Sequence, residues 1–99
     1  MNAERSVKRG LTPKRQREIP EYIGMVRRML RAAGRRVAQG DEVDLRDLLT
    51  LRDEVERAIE TAVRGQYVDQ DHSWAYIAHG LGVTRQAAQM RYAAVCRDE

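Results

Sequence analysis

Arg85, Gln86 and Gln89 lie within the run TRQAAQMR, spaced so that a helix would project all three from neighbouring positions. A guanidinium offers a fork of donors, and a carboxamide sets a donor beside an acceptor. Those two groups match the edges of guanine and adenine in a duplex groove. The other candidates for chemistry point nowhere. His72 and His79 stand seven apart with Asp69 and Asp71 near the first, too few convergent ligands for a metal site. Cys96 is the single cysteine, which excludes an internal disulfide and a thiolate zinc cluster, and it has no neighbouring base to activate it. Asp53 and Glu54 are adjacent, so on a helix they face different ways and form no acid/base dyad. There is neither a glycine-rich phosphate loop nor a Ser/His/Asp arrangement. No catalytic residue, metal, cofactor or small-molecule substrate is expected.

The elements that must position these side chains are legible in SWAYIAHGLGVTRQAAQMRYAAV, residues 73–95. The spacing predicts a helix, a turn at Gly82 and a second helix. Ile77, Leu81 and Val83 are expected to lock both helices onto the body. Ala78 stands where the second helix crosses, and a small side chain there lets the backbones approach. Gly82 supplies the positive φ of a three-residue turn. The Thr84 hydroxyl is placed to cap the following helix. Ala87, Ala88, Tyr92 and Val95 are expected inward. Arg85, Gln86, Gln89, Met90 and Ala93 are expected outward. Trp74 is expected to seal the first of these helices against the one before it.

The run W-A-x-I-A-x-x-L-G-V-T-R-Q-A-A-x-x-R-Y resembles the helix-turn-helix of small actinobacterial and actinophage DNA-binding proteins. Its layout is similar to sigma-factor region 4 and to phage repressor motifs. A looser likeness extends into LLTLRDEVERAIETAV. The resemblance implies duplex DNA binding through the helix that begins at Thr84, with Thr84, Arg85, Gln86, Gln89, Met90 and Arg91 at the interface and His79 beside a phosphate. Two positions depart from the pattern. Gly80 puts a second glycine in the first motif helix. Arg91 stands where repressors carry an apolar residue. Tyr92 is expected to take over that packing, with Arg91 turned toward a phosphate or toward an acid on the preceding helix.

Charge is divided unevenly along the chain. Residues 1–18 hold six bases and two acids, residues 19–40 five bases and one acid, and residues 41–71 four bases and ten acids. A basic front suggests a polyanionic partner, and the acidic middle suggests pairing between the two segments. Residues 1–18 have little to bury and are interrupted by Gly10 and Pro13. They read as a disordered basic arm whose Lys8, Arg9, Lys14, Arg15 and Arg17 contact phosphates. The net charge is +3, no apolar run is long enough to span a membrane, and no secretory leader is legible, so a cytoplasmic, nucleoid-associated protein is expected.

Residues 19–39 step by three and four through Ile19, Tyr22, Ile23, Val26, Met29, Leu30, Ala33 and Val37, the stripe of an amphipathic helix. Pro20 suits its first turn, Gly24 and Gly34 suggest close packing against another helix, and Gly40 suits its stop. Residues 41–66 carry a second stripe through Leu45, Leu48, Leu49, Leu51 or Arg52, Val55, Ile59, Ala62 and Val63, capped by Asp41 or Asp44. Whether this helix stops at Gly65 or runs to Gln70 is open. The expected fold is therefore all-α, with four helices near residues 20–39, 43–66, 73–81 and 84–97. The first two form a long antiparallel hairpin over 19–66. The end of the second, with Ala58, Ile59, Ala62 and Val63, completes a tri-helical unit over 67–99. Leftover apolar stripe on the hairpin suggests a homodimer, which would present recognition helices to successive major grooves ~34 Å apart. The expected function is sequence-specific duplex binding by a small transcriptional regulator. The rivals are a DNA-handling scaffold, as in phage packaging, plasmid or nucleoid proteins, and a module that docks the transcription machinery.

Overall fold

The computed structural model describes the backbone of residues 13–97 and the side chains of residues 18–97. The fold is all-α. The described residues form four helices, two of them long, and no strand: α1 (Pro13–Val37), α2 (Glu42–Arg64), α3 (Trp74–Leu81) and α4 (Arg85–Arg97). A π-helical turn, Gly65–Asp69, follows α2. None of these helices is long and apolar enough to cross a membrane. The chain divides into two units, one ending at Leu48 and the other beginning at Leu49.

In the first unit α1 starts earlier than the sequence suggests. Residues 13–17 are helical, so Lys14, Arg15 and Arg17 belong to α1 and not to a disordered arm. Lys8 and Arg9 lie outside the described residues. Pro13 takes the first helical position, where a missing N–H costs nothing, and Pro20 falls inside the helix. There the ring removes one backbone hydrogen bond. Arg35 and Arg36 in the last turn complement the negative end of the helix dipole. The helix closes through Ala38 N–H to Gly34 O (2.9 Å) and Gly40 N–H to Val37 O (2.9 Å). Gly40 does not adopt a positive φ. Its role is spatial, because a Cβ there would run into the Asp44 carboxylate. That carboxylate accepts the Asp41 N–H at 2.9 Å and so secures the start of α2. Gly24 and Gly34 are not sites of close helix approach. A Cβ on Gly34 would meet nothing within 4 Å, and one on Gly24 only the end of Arg28 at 3.7 Å.

No described residue from 18 to 62 is buried. Ile19, Tyr22, Ile23, Met29, Leu45, Leu49 and Val55, expected as inner stripe, are all exposed. Apolar periodicity locates the helices correctly, but periodicity alone does not say what covers a stripe.

The second unit holds the core. Val63 from α2, Ile77 from α3, and Tyr92 and Cys96 from α4 are buried together, with Ile59, Trp74, Leu81 and Val95 packed against them. Ala58 and Ala62 remain exposed, so α2 enters this core through Ile59 and Val63, one helical turn apart. The open question about the end of α2 has a composite answer. The α-helical hydrogen bonding ends at Arg64, and the wider turn carries the chain to Asp69, with Gln70 N–H donating to Gly65 O at 3.1 Å.

Candidate functional site

Local hydrogen bonds set up α3 and α4. After the π-turn the chain reverses at Asp71, whose φ of 59° is left-handed, and His72 N–H donates to Gln66 O at 2.9 Å. Aspartate tolerates that conformation better than most residues. Ser73 then caps α3, its hydroxyl accepting the Tyr76 N–H at 3.1 Å. Two ring stacks brace the entrance: Tyr67 on Trp74, centroids 4.5 Å apart, and His72 on Tyr76, 4.1 Å apart. Trp74 is half-buried against the core, as expected of a seal.

Gly82 closes α3 with φ 75° and ψ 28°. The N–H groups of Gly82 and Val83 both reach Ala78 O, at 2.9 and 3.1 Å. A side chain at Gly82 would strain this left-handed conformation even though the space around it is open. Thr84 caps α4 by accepting the Ala87 N–H on Oγ1 at 3.0 Å. The turn therefore needs three neighbouring residues, each for a different reason. Ala78 offers a carbonyl and almost no side-chain bulk, Gly82 permits the reversal, and Thr84 satisfies an orphan donor.

The inward face of the pair is largely the expected one. Ile77 and Ala78 are each 3 % exposed, Ala88 1 % and Tyr92 5 %. Two expected core residues are not there. Val83 is exposed, because it follows the left-handed residue and points out of the turn, and Ala87 is exposed beside it. Ala93, expected outward, is half-buried, while Ala94 and Arg97 further along α4 remain exposed.

On the exposed face of α4 Gln86, Gln89 and Met90 stand at i, i+3 and i+4, with Arg85 at its N-terminal edge, all exposed. Met90 is 86 % exposed, which no packing role explains. His79 is exposed on α3. Arg91 leans back toward α2, with Nη2 3.8 Å from the Glu56 carboxylate. Of the two directions the sequence leaves open for it, this is the acid on the preceding helix. Glu56 also accepts a hydrogen bond from the Tyr92 hydroxyl, and burial together with that carboxylate raises the phenol above its ordinary value of 10.0. Burial likewise raises the Cys96 thiol, so this cysteine is held as an unreactive core residue.

One anchoring residue escapes sequence reasoning. Arg64 Nη1 donates to Val95 O at 2.6 Å, across 31 residues of sequence. Val95 lies in the last turn of α4, where carbonyls lack helical partners, so a cation there satisfies an orphan acceptor and the dipole together. No spacing rule links the two positions. Only the general need for a donor at a helix C-terminus points to such a residue.

Compared with known protein families, curated proteins and solved structures, the chain matches none. Its site is therefore read from geometry and chemistry alone.

Proposed function

We propose that this chain binds double-stranded DNA sequence-specifically, with α4 in a major groove, and acts as a small transcriptional regulator on the nucleoid. The observation that carries the reading is the division of α4. Ala88, Tyr92 and Cys96 anchor it in the core while Arg85, Gln86, Gln89 and Met90 project from its first two turns. A helix held on one side and carrying amide and guanidinium groups at its free N-terminal end is suited to reading base edges. Met90 would meet a thymine methyl. Thr84 caps the N-terminus of α4, where the helix dipole favours a phosphate, and the exposed His79 on α3 supplies a second backbone contact. Arg91 joins them once it leaves Glu56. Lys8, Arg9, Lys14, Arg15 and Arg17 supply charge that contacts backbone without reading sequence.

Selection from a random duplex library, followed by titration of the winning and a scrambled duplex, tests this. Gln86→Ala or Arg85→Ala should cost ~1–3 kcal/mol on the winner with little change on the scrambled duplex. Replacing Lys8, Arg9, Lys14, Arg15 and Arg17 with glutamine, which leaves the start of α1 in place, should weaken both alike and flatten the salt dependence, by ~0.9 in log–log slope for each phosphate no longer neutralised. A library that yields no preferred sequence would replace the regulator with a DNA-handling scaffold. Absence of duplex binding at low salt would remove the reading altogether.

A further inference from the structure

We propose that Met90 makes binding depend on the C5 methyl group of one pyrimidine in the major groove, so that the protein responds to the methylation state of that base. The inference rests on the DNA-binding reading and assigns to one position the chemical group it selects. Its starting point is the outer face of α4. Ala88, Tyr92 and Cys96 are buried, and Met90 stands on the side of the helix opposite them. The positions that border it at one turn's distance are Gln86, Ala87, Ala93 and Ala94. Three of these four are alanine, so the long methionine side chain rises from a low collar, and it is 86 % exposed. A surface laid on this face meets the Met90 thioether and its methyl first.

The chemistry of that tip narrows what it can read. A thioether donates nothing and accepts only weakly. Base edges in the major groove are donors and acceptors with one exception, the C5 methyl of thymine. A cytosine methylated at C5 presents the same apolar group at the same ring position. Against any other edge, Met90 displaces water from a polar group and returns no hydrogen bond, which costs binding energy. Charge favours a polyanion on this face over an apolar protein groove. Helix α4 carries three arginines and no acid, and of these Arg85 and Arg97 are exposed, one at each end. Gln86, one turn earlier, is left for the polar edge of a neighbouring base pair. One helix thus combines a hydrogen-bonding readout with a methyl readout, and the second changes when the base is methylated.

Removing the methyl from the DNA tests this. The duplex that wild type prefers in the library selection is rebuilt with uracil in place of each thymine in turn. At one position the loss should weaken wild-type binding about fourfold, the worth of one buried methyl group. Met90→Ala should bind the thymine and uracil forms of that position equally. Met90 lies outside the core, so the variant keeps its fold, and circular dichroism melts check this. Cytosine and C5-methylcytosine, each opposite guanine, are then placed at the same position. Tighter binding of the methylated form by wild type, absent in Met90→Ala, shows that either base can supply the methyl; equal binding shows that thymine supplies it. A duplex in which no uracil weakens wild type, or a uracil effect that persists in Met90→Ala, would overturn the inference. Either result leaves the DNA-binding reading standing, because the duplex is already a preferred one. A library without a preferred duplex would overturn the inference together with the regulator.

Discussion

The second unit and the long helix α1 reach helicity by different routes. Helix α3 has eight residues, well below the length at which an isolated helix persists, yet it buries Ile77 and Ala78 and is capped at both ends. Helix α1 has 25 residues and buries none of those whose side chains are described. Length and periodicity are therefore not what separates the two. The short helix rests on a core, and the long one carries a surface. Substitutions should divide along the same line. Tyr92→Ala removes a buried ring from the centre of the core and should lower the stability of the second unit by about 3–5 kcal/mol. Val43→Ala, at an exposed position, should change it by less than about 0.5 kcal/mol. Urea denaturation followed by Trp74, the single tryptophan, measures both. Comparable effects would mean that the apparent core is not the stabilising one.

Glycines sharpen the contrast at intermediate size. Gly82 stands at φ 75°, so Gly82→Val should cost about 1–3 kcal/mol through backbone strain. Gly34 stands in a helix with nothing within 4 Å of a would-be Cβ, so Gly34→Ala should stabilise α1 by up to about 1 kcal/mol. Adding a side chain to glycine thus has opposite signs in the two regions. Thermal melts monitored by circular dichroism resolve them, and a destabilising Gly34→Ala would reveal a close neighbour on α1.

The reach of the sequence follows from the same distinction. The four helices are legible because each carries a stripe of period 3.6, and the turn is legible because Gly82 and Thr84 answer local needs. So is most of the α3–α4 core, where Ile77, Ala78, Ala88 and Tyr92 are spaced to face one side. The start of α1 is not, because both Pro13 and Pro20 suit a first turn and local chemistry does not choose between them. Burial of the long stripes is not legible either, since amphipathic periodicity specifies a face and not its partner. The contacts of Arg64 with Val95 and of Glu56 with Tyr92 join distant segments, beyond any spacing rule.

A smaller effect should appear only at alkaline pH, and only in the second unit. The Tyr92 phenol is raised above 10.0, first by burial and then by Glu56, so the folded state favours its protonated form. That contribution to stability is complete below pH 10 and is lost as pH climbs through the raised value. Urea midpoints taken from neutral to strongly alkaline pH should fall along this limb in wild type and fall less in Tyr92→Phe. An identical limb in the two proteins would assign the alkaline loss to other groups.

The smallest expected change is at Arg91, and it is the most informative about the proposed interface. Its approach to Glu56 spans 3.8 Å between side chains that are 66 % and 41 % exposed, so the pair should contribute no more than about 0.5 kcal/mol to folding. Arg91→Ala should therefore leave the urea midpoint almost unchanged. A tether that weak can be exchanged for a phosphate at little cost. If that exchange accompanies duplex binding, Arg91→Ala should lower affinity for cognate and scrambled duplex alike and reduce the log–log salt slope by ~0.9. Glu56→Gln should act in the opposite direction. It removes the competing charge, keeps an acceptor for the Tyr92 hydroxyl, and so should tighten binding slightly while leaving the preference between duplexes intact. Salt titrations of the two variants on both duplexes measure this directly. Unchanged slopes in both would mean that Arg91 stays with Glu56 in the complex, as a brace that holds α4 on α2 rather than a ligand of the duplex.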